Sequence, residues 1–421
     1  MPPWSDRKLH FVGIGGAGMS GLAVVAKALG ASVTGSDRTA GSPYAHTLQA
    51  AGIEPIVGHA AANVPPDAEV VYSTAIPPDN PERRPPELHR ADLLAQLTRL
   101  KPTIAVSGTH GKTTTSSMIV HALEADSYLV GGEVRSTGAN AAWGPGEWLV
   151  VEADESDRSL LKLHPTIAVV TNAELDHHTT YASSRDVDDT FRAFLAKAEH
   201  AVVPPELARL ASAPDVFEVA PELTSTGSRF VFGGREVDLR VPGEHNARNA
   251  AAALTAIALT GADVAEAAQR LTTFEGAGRR FERLGTAPAG ATVVDDYAHH
   301  PTEVAATIAA ARTLAPRRVL AVFQPHLFSR TQREAASFGR ALARADQAIV
   351  LDVYPARERQ EDYPTVTGLL VAQHTADAGG RVVWAKGHDT AIAYLQANLQ
   401  AGDLVLTLGA GDVDRVGRAL I

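Results

Sequence analysis

The chain contains no cysteine, which excludes disulfides, thiolate metal ligands and a cysteine nucleophile. It has no apolar run of the roughly 18–20 residues that a membrane-spanning helix needs. The opening residues Met-Pro-Pro-Trp-Ser-Asp-Arg-Lys lack the apolar centre of a secretory signal, so a cytoplasmic location is expected. Positive charge is also scarce: 38 Lys and Arg against 48 Asp and Glu give a formal net charge of −10. That balance argues against a nucleic-acid surface, which needs clustered cations. Any cation that serves an anionic ligand must then sit at a particular site. The remainder, 45% hydrophobic and 20% charged over 421 residues, is ordinary for a globular protein of two or three domains.

The densest chemistry lies in Ile104-Ala-Val-Ser-Gly-Thr-His-Gly-Lys-Thr-Thr, an apolar strand pattern that runs into a turn and a helix. Gly108 and Gly111 let backbone N–H groups approach phosphate oxygens, Lys112 can neutralise their charge, and the Thr113 hydroxyl can hold Mg²⁺. The positive end of the following helix points at the same anion. A general Walker loop would have a glycine where this chain has Val106, so the loop takes the shorter form Gly-Thr-His-Gly-Lys-Thr. The alternative is an ordinary strand–turn–helix connection that happens to contain Gly-Lys-Thr.

From Lys8 to about Thr98 the pattern predicts the start of a doubly wound sheet, with strands over 10–14, 31–35 and 70–73 and a helix over 20–29. The proline-dense stretch from Ile76 to Pro86 predicts an irregular loop. A second α/β set follows, with a strand that begins at Thr103 and runs into the phosphate turn, strands over 148–153, 167–171 and 201–204, and an alanine-rich helix over 249–260. Glycines flanking charges between Gly276 and Arg283 read as a hinge. Beyond them, strands over 292–296, 318–323, 347–353, 382–384 and 404–408 alternate with helices. The fold class expected is α/β in three domains, over residues 1–98, 99–280 and 281–421: a Rossmann-like N-terminal domain, a central P-loop ATPase-like domain and a C-terminal Rossmann-like domain.

Gly13-x-Gly15-x-x-Gly18 follows the first strand, and Asp37 follows the second near the spacing at which an acidic residue meets a ribose. A dinucleotide cofactor, a second phosphorylated ligand and a purely structural turn all fit these residues. Val150-Val-Glu-Ala-Asp-Glu-Ser-Asp puts carboxylates at the end of an apolar strand, and Glu152 is a candidate ligand for Mg²⁺. His177, beside Asp176 at the next strand end, is a candidate for a second metal; His178 reads equally as a structural or solvated histidine. Arg279 and Arg280 fit either a phosphate clamp or a solvated charge pair. Asp295-Asp-Tyr-Ala-His-His-Pro and Gln324-Pro-His-Leu-Phe-Ser-Arg end neighbouring strands and form a candidate polar binding rim.

In order along the chain, Gly-Ile-Gly-Gly-Ala-Gly-Met-Ser, Gly-Thr-His-Gly-Lys-Thr-Thr, Glu-Ala-Asp-Glu-Ser-Asp, Asp-His-His, Glu-His-Asn-Ala-Arg-Asn, Asp-Asp-Tyr-x-His-His-Pro-Thr-Glu and Phe-Gln-Pro-His resemble the Mur ligases. These are ATP-dependent amide ligases of peptidoglycan precursor synthesis, and the resemblance covers nearly the whole chain. It is strongest to the branch that joins L-alanine to UDP-N-acetylmuramate through an acyl phosphate. It implies a UDP-sugar site at Gly15, Gly16, Ala17, Gly18, Met19, Ser20, Asp37, Ser73 and Asn140. For ATP it implies Gly108, Thr109, His110, Gly111, Lys112, Thr113, Thr114, His245, Asn246, Asn249, Arg280 and Asp296. Thr113, Glu152 and His177 would hold Mg²⁺. Tyr297, His299, His326 and Arg330 would receive the amino acid, and Lys112, Glu152, His177 and Arg330 would serve the reaction.

Two positions depart from the family pattern. Leu327 stands where arginine usually follows Phe-Gln-Pro-His, which shifts the amino acid's carboxylate toward Arg330. Arg357 stands where a glycine is customary and offers compensating charge. Three rivals remain: a recycling ligase that attaches a preformed peptide to the same UDP sugar, a non-catalytic nucleotide and UDP-sugar sensor, and a nicotinamide-dependent oxidoreductase built on the first glycine turn.

Overall fold

The computed structural model describes residues 3–39 and 41–421. Its strands are short apolar runs rich in valine, isoleucine and alanine; Thr103–Ser107 and Ile167–Val170 are buried at every residue. Strands buried on both faces belong to parallel sheets covered by helices, and the pairing follows that rule. The first sheet is wholly parallel, in the order Ile56–Val57, Ser32–Asp37, Lys8–Val12, Glu69–Tyr72, Glu87–His89. The chain reverses its winding between Lys8–Val12 and Glu69–Tyr72, and in such sheets ligands bind beyond the carboxyl ends at that switch point.

The second sheet has seven strands, with Thr103–Ser107 between Ile167–Val170 and Leu149–Glu152. All three run parallel, so the turns after Ser107, Glu152 and Val170 emerge on one edge. The sheet ends in the hairpin Tyr128–Val134 and Ala139–Ala142. A third sheet of six strands runs in the order Glu282–Thr286, Thr292–Asp296, Leu404–Leu408, Val319–Phe323, Gln347–Val350, Val382–Trp384. Only its first strand is antiparallel to its neighbour. A small antiparallel sheet contains Glu222–Thr224, Gly227–Phe232 and Arg235–Leu239.

Contacts divide the chain into two compact units. One holds residues 1–220, 231–237 and 248–275, and the other holds 221–230, 238–247 and 276–421. The first two sheets lie in the first unit and the six-stranded sheet in the second.

The α/β strands anticipated from apolar runs are present, mostly shifted by one or two residues. The helix expected from Asn249 starts earlier, spanning Glu244–Leu259, and the strand expected over 347–353 stops at Val350. The segment over 276–283, read as a hinge, starts where the division between the two units falls, at Glu275 and Gly276. Ala277 and Arg280 pair across a tight turn, and Glu282 and Arg283 already belong to an edge strand. The hairpin over 128–142 and the small sheet escaped the sequence reading because glycines and charges interrupt their alternation.

Candidate functional site

The turn after Ser107 is shaped by two glycines in the left-handed region, Gly108 with φ +132° and Gly111 with φ +81°. A side chain at Gly108 would collide with Thr171 Oγ1, and a β-carbon at Gly111 would lie 2.6 Å from Asn249 Oδ1. Glycine is therefore required by close packing as well as by φ. Gly111 caps the helix Lys112–Leu123 without a side-chain hydrogen bond, the arrangement by which a helix start can receive an anion. The neighbouring strand end braces the turn: Asn172 Oδ1 accepts the His110 N–H at 2.9 Å, and Asn172 Nδ2 donates to the His110 carbonyl at 2.9 Å. Thr109 Oγ1 donates to the Glu174 carbonyl at 3.0 Å, and His110 Nε2 lies 3.3 Å from Glu174 Oε2.

Lys112 Nζ donates to the Gly108 carbonyl at 2.8 Å and to Glu155 Oε1 at 3.0 Å. Burial works against its charge, but Glu155, Glu152 and Asp154 hold its pKa above the ordinary lysine value. It is a fixed cation in the turn. Glu155 is 2% exposed and organises the site: Oε2 is 2.8 Å from Lys112 Nζ, Oε1 is 3.5 Å from His177 Nε2, and its carbonyl accepts the Tyr181 hydroxyl at 2.6 Å. The sequence reading passed over Glu155 in favour of the first carboxylate of the run. Its only signal was a place three residues farther along the same acidic segment.

Thr113 Oγ1 donates to Glu152 Oε2 at 2.9 Å, and the same oxygen takes the Gly131 N–H at 2.8 Å. A hydroxyl and a carboxylate brought together beside the turn form a hard oxygen donor set, the kind that suits Mg²⁺. His177 has φ +51°, and its ring meets Glu155 and, at 3.7 Å, Asp176. Thr114 is buried at the start of the helix, and Asn249 packs on Gly111.

The first glycine turn is pinned by backbone and carboxylate together. The N–H groups of Gly13 and Ile14 both donate to the Ser36 carbonyl at 2.9 Å. Asp37 Oδ2 accepts the Gly15 N–H at 2.9 Å, and Ser42 Oγ donates to the Gly15 carbonyl at 2.7 Å. Gly15, Asp37, Thr39, Ser42 and Gln49 line a cavity here. Gly16 caps the helix Ala17–Ala28 without a side chain. Met19 and Ser20 are buried, and Ser20 donates its N–H to the Gly16 carbonyl at 2.8 Å and its hydroxyl to the Ala17 carbonyl at 3.0 Å; Gly18 lies in the same turn. Asn140 Nδ2 donates to the Ala17 carbonyl at 2.8 Å and to Ser20 Oγ at 3.1 Å. Its Oδ1 is buried and makes no hydrogen bond among the described residues. Ser73 directly follows the strand Glu69–Tyr72, and its carbonyl accepts the Ile76 N–H at 3.0 Å.

In the second unit, Asp296 accepts the N–H groups of Phe281 and Ala298, each at 2.8 Å. Burial raises its pKa to about 6. The Arg279 guanidinium is taken by Asp295 Oδ2 at 2.8 Å and by the carbonyls of Gly409 and Gly411 at 2.9 Å. Arg280 lies over the Tyr297 ring, 5.0 Å from its centroid. The expected polar rim is assembled. Tyr297 meets His299 edge-on at 5.4 Å, His299 is 6.2 Å from His326, and His326 stacks on Tyr354 at 5.9 Å.

Burial pushes His299 down to about 3, with Glu303 opposing and the Arg330 cation adding to the effect. Burial and then Arg330 and Arg357 push His326 down to about 4. Both rings are neutral near pH 7, and Arg330 is itself buried. Leu327 holds φ +69° at the start of the helix Phe328–Leu342, with its N–H on the Tyr354 carbonyl at 3.0 Å. Tyr354 thus stacks on His326 and accepts from Leu327. Arg357 is exposed. Burial also lowers His245 to about 4. Asn246 donates to the Pro242 carbonyl at 2.7 Å, which fixes the start of its helix.

Comparison with known proteins agrees with this arrangement. Residues 8–101 match the profile described as Mur ligase family, catalytic domain; residues 106–257 match the Mur ligase middle domain; residues 279–411 match the Mur ligase, glutamate ligase domain. A UDP-N-acetylmuramate–L-alanine ligase of Streptomyces coelicolor is 43% identical, across 100% of this chain and 98% of its own length. One from Rubrobacter xylanophilus is also 43% identical, over 98% of this chain and 99% of its own. Among solved structures, a UDP-N-acetylmuramate–alanine ligase from Thermotoga maritima superposes with a TM-score of 0.83 at 27% identity, covering 98% of each chain. A murein peptide ligase from Psychrobacter arcticus shares the fold, with a TM-score of 0.70 at 23% identity and 98% coverage of each chain.

Proposed function

This chain belongs to the Mur ligase family, and from that premise we propose that it joins L-alanine to UDP-N-acetylmuramate in an ATP-dependent reaction of peptidoglycan precursor synthesis. The observation that carries the reading is identity of 43% to alanine-adding ligases over the full length of both chains. The cluster of Lys112, Glu155, Glu152 and Thr113 around the Gly108–Gly111 turn supports it. Residues 1–98 take the UDP sugar, 99–280 take ATP and 281–421 present the amino acid. A cytoplasmic location goes with this chemistry, because its nucleotide substrates are cytoplasmic pools.

A carboxylate and an amine do not condense usefully in neutral water, so the carboxylate oxygen must first become a leaving group. The muramoyl carboxylate attacks the γ-phosphorus of ATP; the bond to the bridging oxygen breaks, giving an acyl phosphate and ADP. The alanine amine then attacks the acyl carbon, and the tetrahedral intermediate gives up one amine proton to solvent, expels phosphate and leaves the amide. The first step is mainly a problem of position and charge. Lys112 supplies a fixed cation and the Gly111 helix start supplies N–H donors, both set before the charge develops. Thr113 and Glu152 would hold Mg²⁺, with His177 at the neighbouring carboxylates, and the ion would neutralise phosphate charge there. In the C-terminal part, neutral His299 and His326, with Tyr297 and Arg330, orient the alanine. Asp296, Arg280 and His245, with Asn246 and Asn249, belong to the nucleotide's surroundings.

The test is phosphate release from ATP and Mg²⁺ with UDP-N-acetylmuramate, adding alanine, serine, glycine or L-Ala-γ-D-Glu-meso-diaminopimelate in separate reactions, with mass spectrometry of the products. Alanine-dependent turnover with a UDP-muramoyl-alanine product supports the reading. Turnover with the peptide alone makes the chain a recycling ligase, and binding of ATP and UDP sugar without turnover makes it a sensor.

A further inference from the structure

The turn Gly13-Ile-Gly-Gly-Ala-Gly-Met-Ser contains no cation. Tertiary structure brings one to it. Arg90 opens the helix Arg90–Leu97, and a β-carbon at Gly18 would lie 3.8 Å from its Nη1. One edge of the guanidinium therefore lies against the first turn of the helix Ala17–Ala28. From the other edge, Nη2 donates to Asp154 Oδ2 at 2.7 Å and to Asp157 Oδ2 at 3.0 Å.

These aspartates flank Glu155, the carboxylate that holds Lys112. Their remaining oxygens are tied into the same loop: Asp154 Oδ1 accepts the Ser156 N–H and Asp157 Oδ1 accepts the Ser159 N–H, each at 2.9 Å. Burial disfavours charge on Asp154, yet Arg90 and then Lys112 hold it at about 2. The guanidinium side chain is 19% exposed, so its contacts are little weakened by solvent. Arg90 thus lies against the turn at Gly18 on one side and, on the other, pairs with the loop 154–157 whose Glu155 holds Lys112. The planar fork of arginine suits this double duty, and the single ammonium of a lysine does not.

We propose that Arg90 is a positioning residue that couples the first glycine turn to the phosphate loop, so that a nucleotide diphosphate at one favours a nucleotide at the other. This rests on the reading that the two turns take the UDP sugar and ATP. A diphosphate at the helix start draws Nη1, while Nη2 keeps the Asp154–Asp157 pair, and with it Glu155 and Lys112, in one arrangement. The coupling is reciprocal by thermodynamic necessity.

Calorimetric titration of the full chain with ADP, with and without saturating UDP, tests this. UDP is expected to tighten ADP binding by at least about fivefold. In Arg90→Met that factor falls toward one, while ADP alone binds within about twofold of the native chain, as expected when only the coupling is lost. Asp157→Asn, which leaves the bond to Asp154, lowers the factor partly, and adding it to Arg90→Met lowers it no further. An unchanged factor in Arg90→Met, or equal weakening of ADP with and without UDP, overturns the proposal. So does a native chain that binds both ligands independently. If Arg90→Met does not fold, an unchanged factor in Asp157→Asn overturns it. A native chain that binds neither UDP nor ADP overturns the underlying functional reading instead.

Discussion

Two glycine turns sit at the carboxyl ends of parallel strands, each opening a helix, and they solve the same anion problem in different ways. In the Gly108–Lys112 turn the cation is the first residue of the helix, and it is held by a buried counterion, Glu155. In the Gly13–Gly18 turn there is no charged side chain; Asp37 and Ser42 pin the backbone, and Arg90 arrives from a distant helix. In the proposed reaction the first must stabilise charge that develops during phosphoryl transfer, whereas the second has only to hold a diphosphate. A buried local cation suits the first task, and backbone N–H groups with a borrowed guanidinium suit the second.

The sharpest way to separate the turns is Lys112→Met. It should lower kcat by about 10³-fold, the scale of removing a preorganised charge from a reacting phosphate. UDP binding, measured by calorimetry, should be unchanged; equal loss at both turns would break the distinction. Next comes Glu155→Gln. Removing one partner of a buried pair takes away the main counterion of Lys112 and should cost about 3 kcal/mol of stability in urea unfolding. Added ADP should then raise the melting temperature more in this variant than in the native chain.

A third comparison substitutes one glycine in each turn. Gly108→Ala meets both a positive φ and the Thr171 hydroxyl and should destabilise by about 2 kcal/mol. Gly18→Ala places its β-carbon at ordinary contact distance from Arg90 and should stay within about 0.5 kcal/mol. Both are read from urea midpoints.

The last comparison lies outside both turns. His245 and His326 at about 4 and His299 at about 3 take up protons less readily in the folded chain than in the unfolded one. Their contribution to stability is fully present above the unfolded histidine value and is lost as pH falls from about 6.5 toward 4. Asp296, raised to about 6 by burial, and Asp295, which burial also raises, act in the opposite sense over part of that range. Three histidines outweigh two carboxylates, so the urea midpoint should drop between pH 7 and pH 5. A rise would contradict the burial of the histidine rim.

Much of the architecture was legible because its signals are local. Apolar runs of four to six residues ended by glycine or carboxylate predict buried parallel strands, and Gly-Lys-Thr after such a run predicts the phosphate turn. The proline stretch after Ile76 was expected to be irregular, and it forms turns. Arg279 and Arg280, adjacent and chemically identical, could not be told apart in the same way. Both lie over the Tyr297 ring, at 5.2 and 5.0 Å from its centroid, and Arg279 is in addition taken by Asp295 and by two carbonyls far away in sequence.

The sequence by itself determined the strand–turn–helix chemistry of both glycine turns and the family to which the motifs point, because those features depend on neighbours along the chain. Tertiary structure decided which carboxylate holds Lys112, which cation reaches the first turn, and how His299 and His326 become neutral. Those outcomes depend on burial and on distances between residues far apart in sequence. Electrostatic energy depends on separation and solvent exposure, and neither is written in the order of residues.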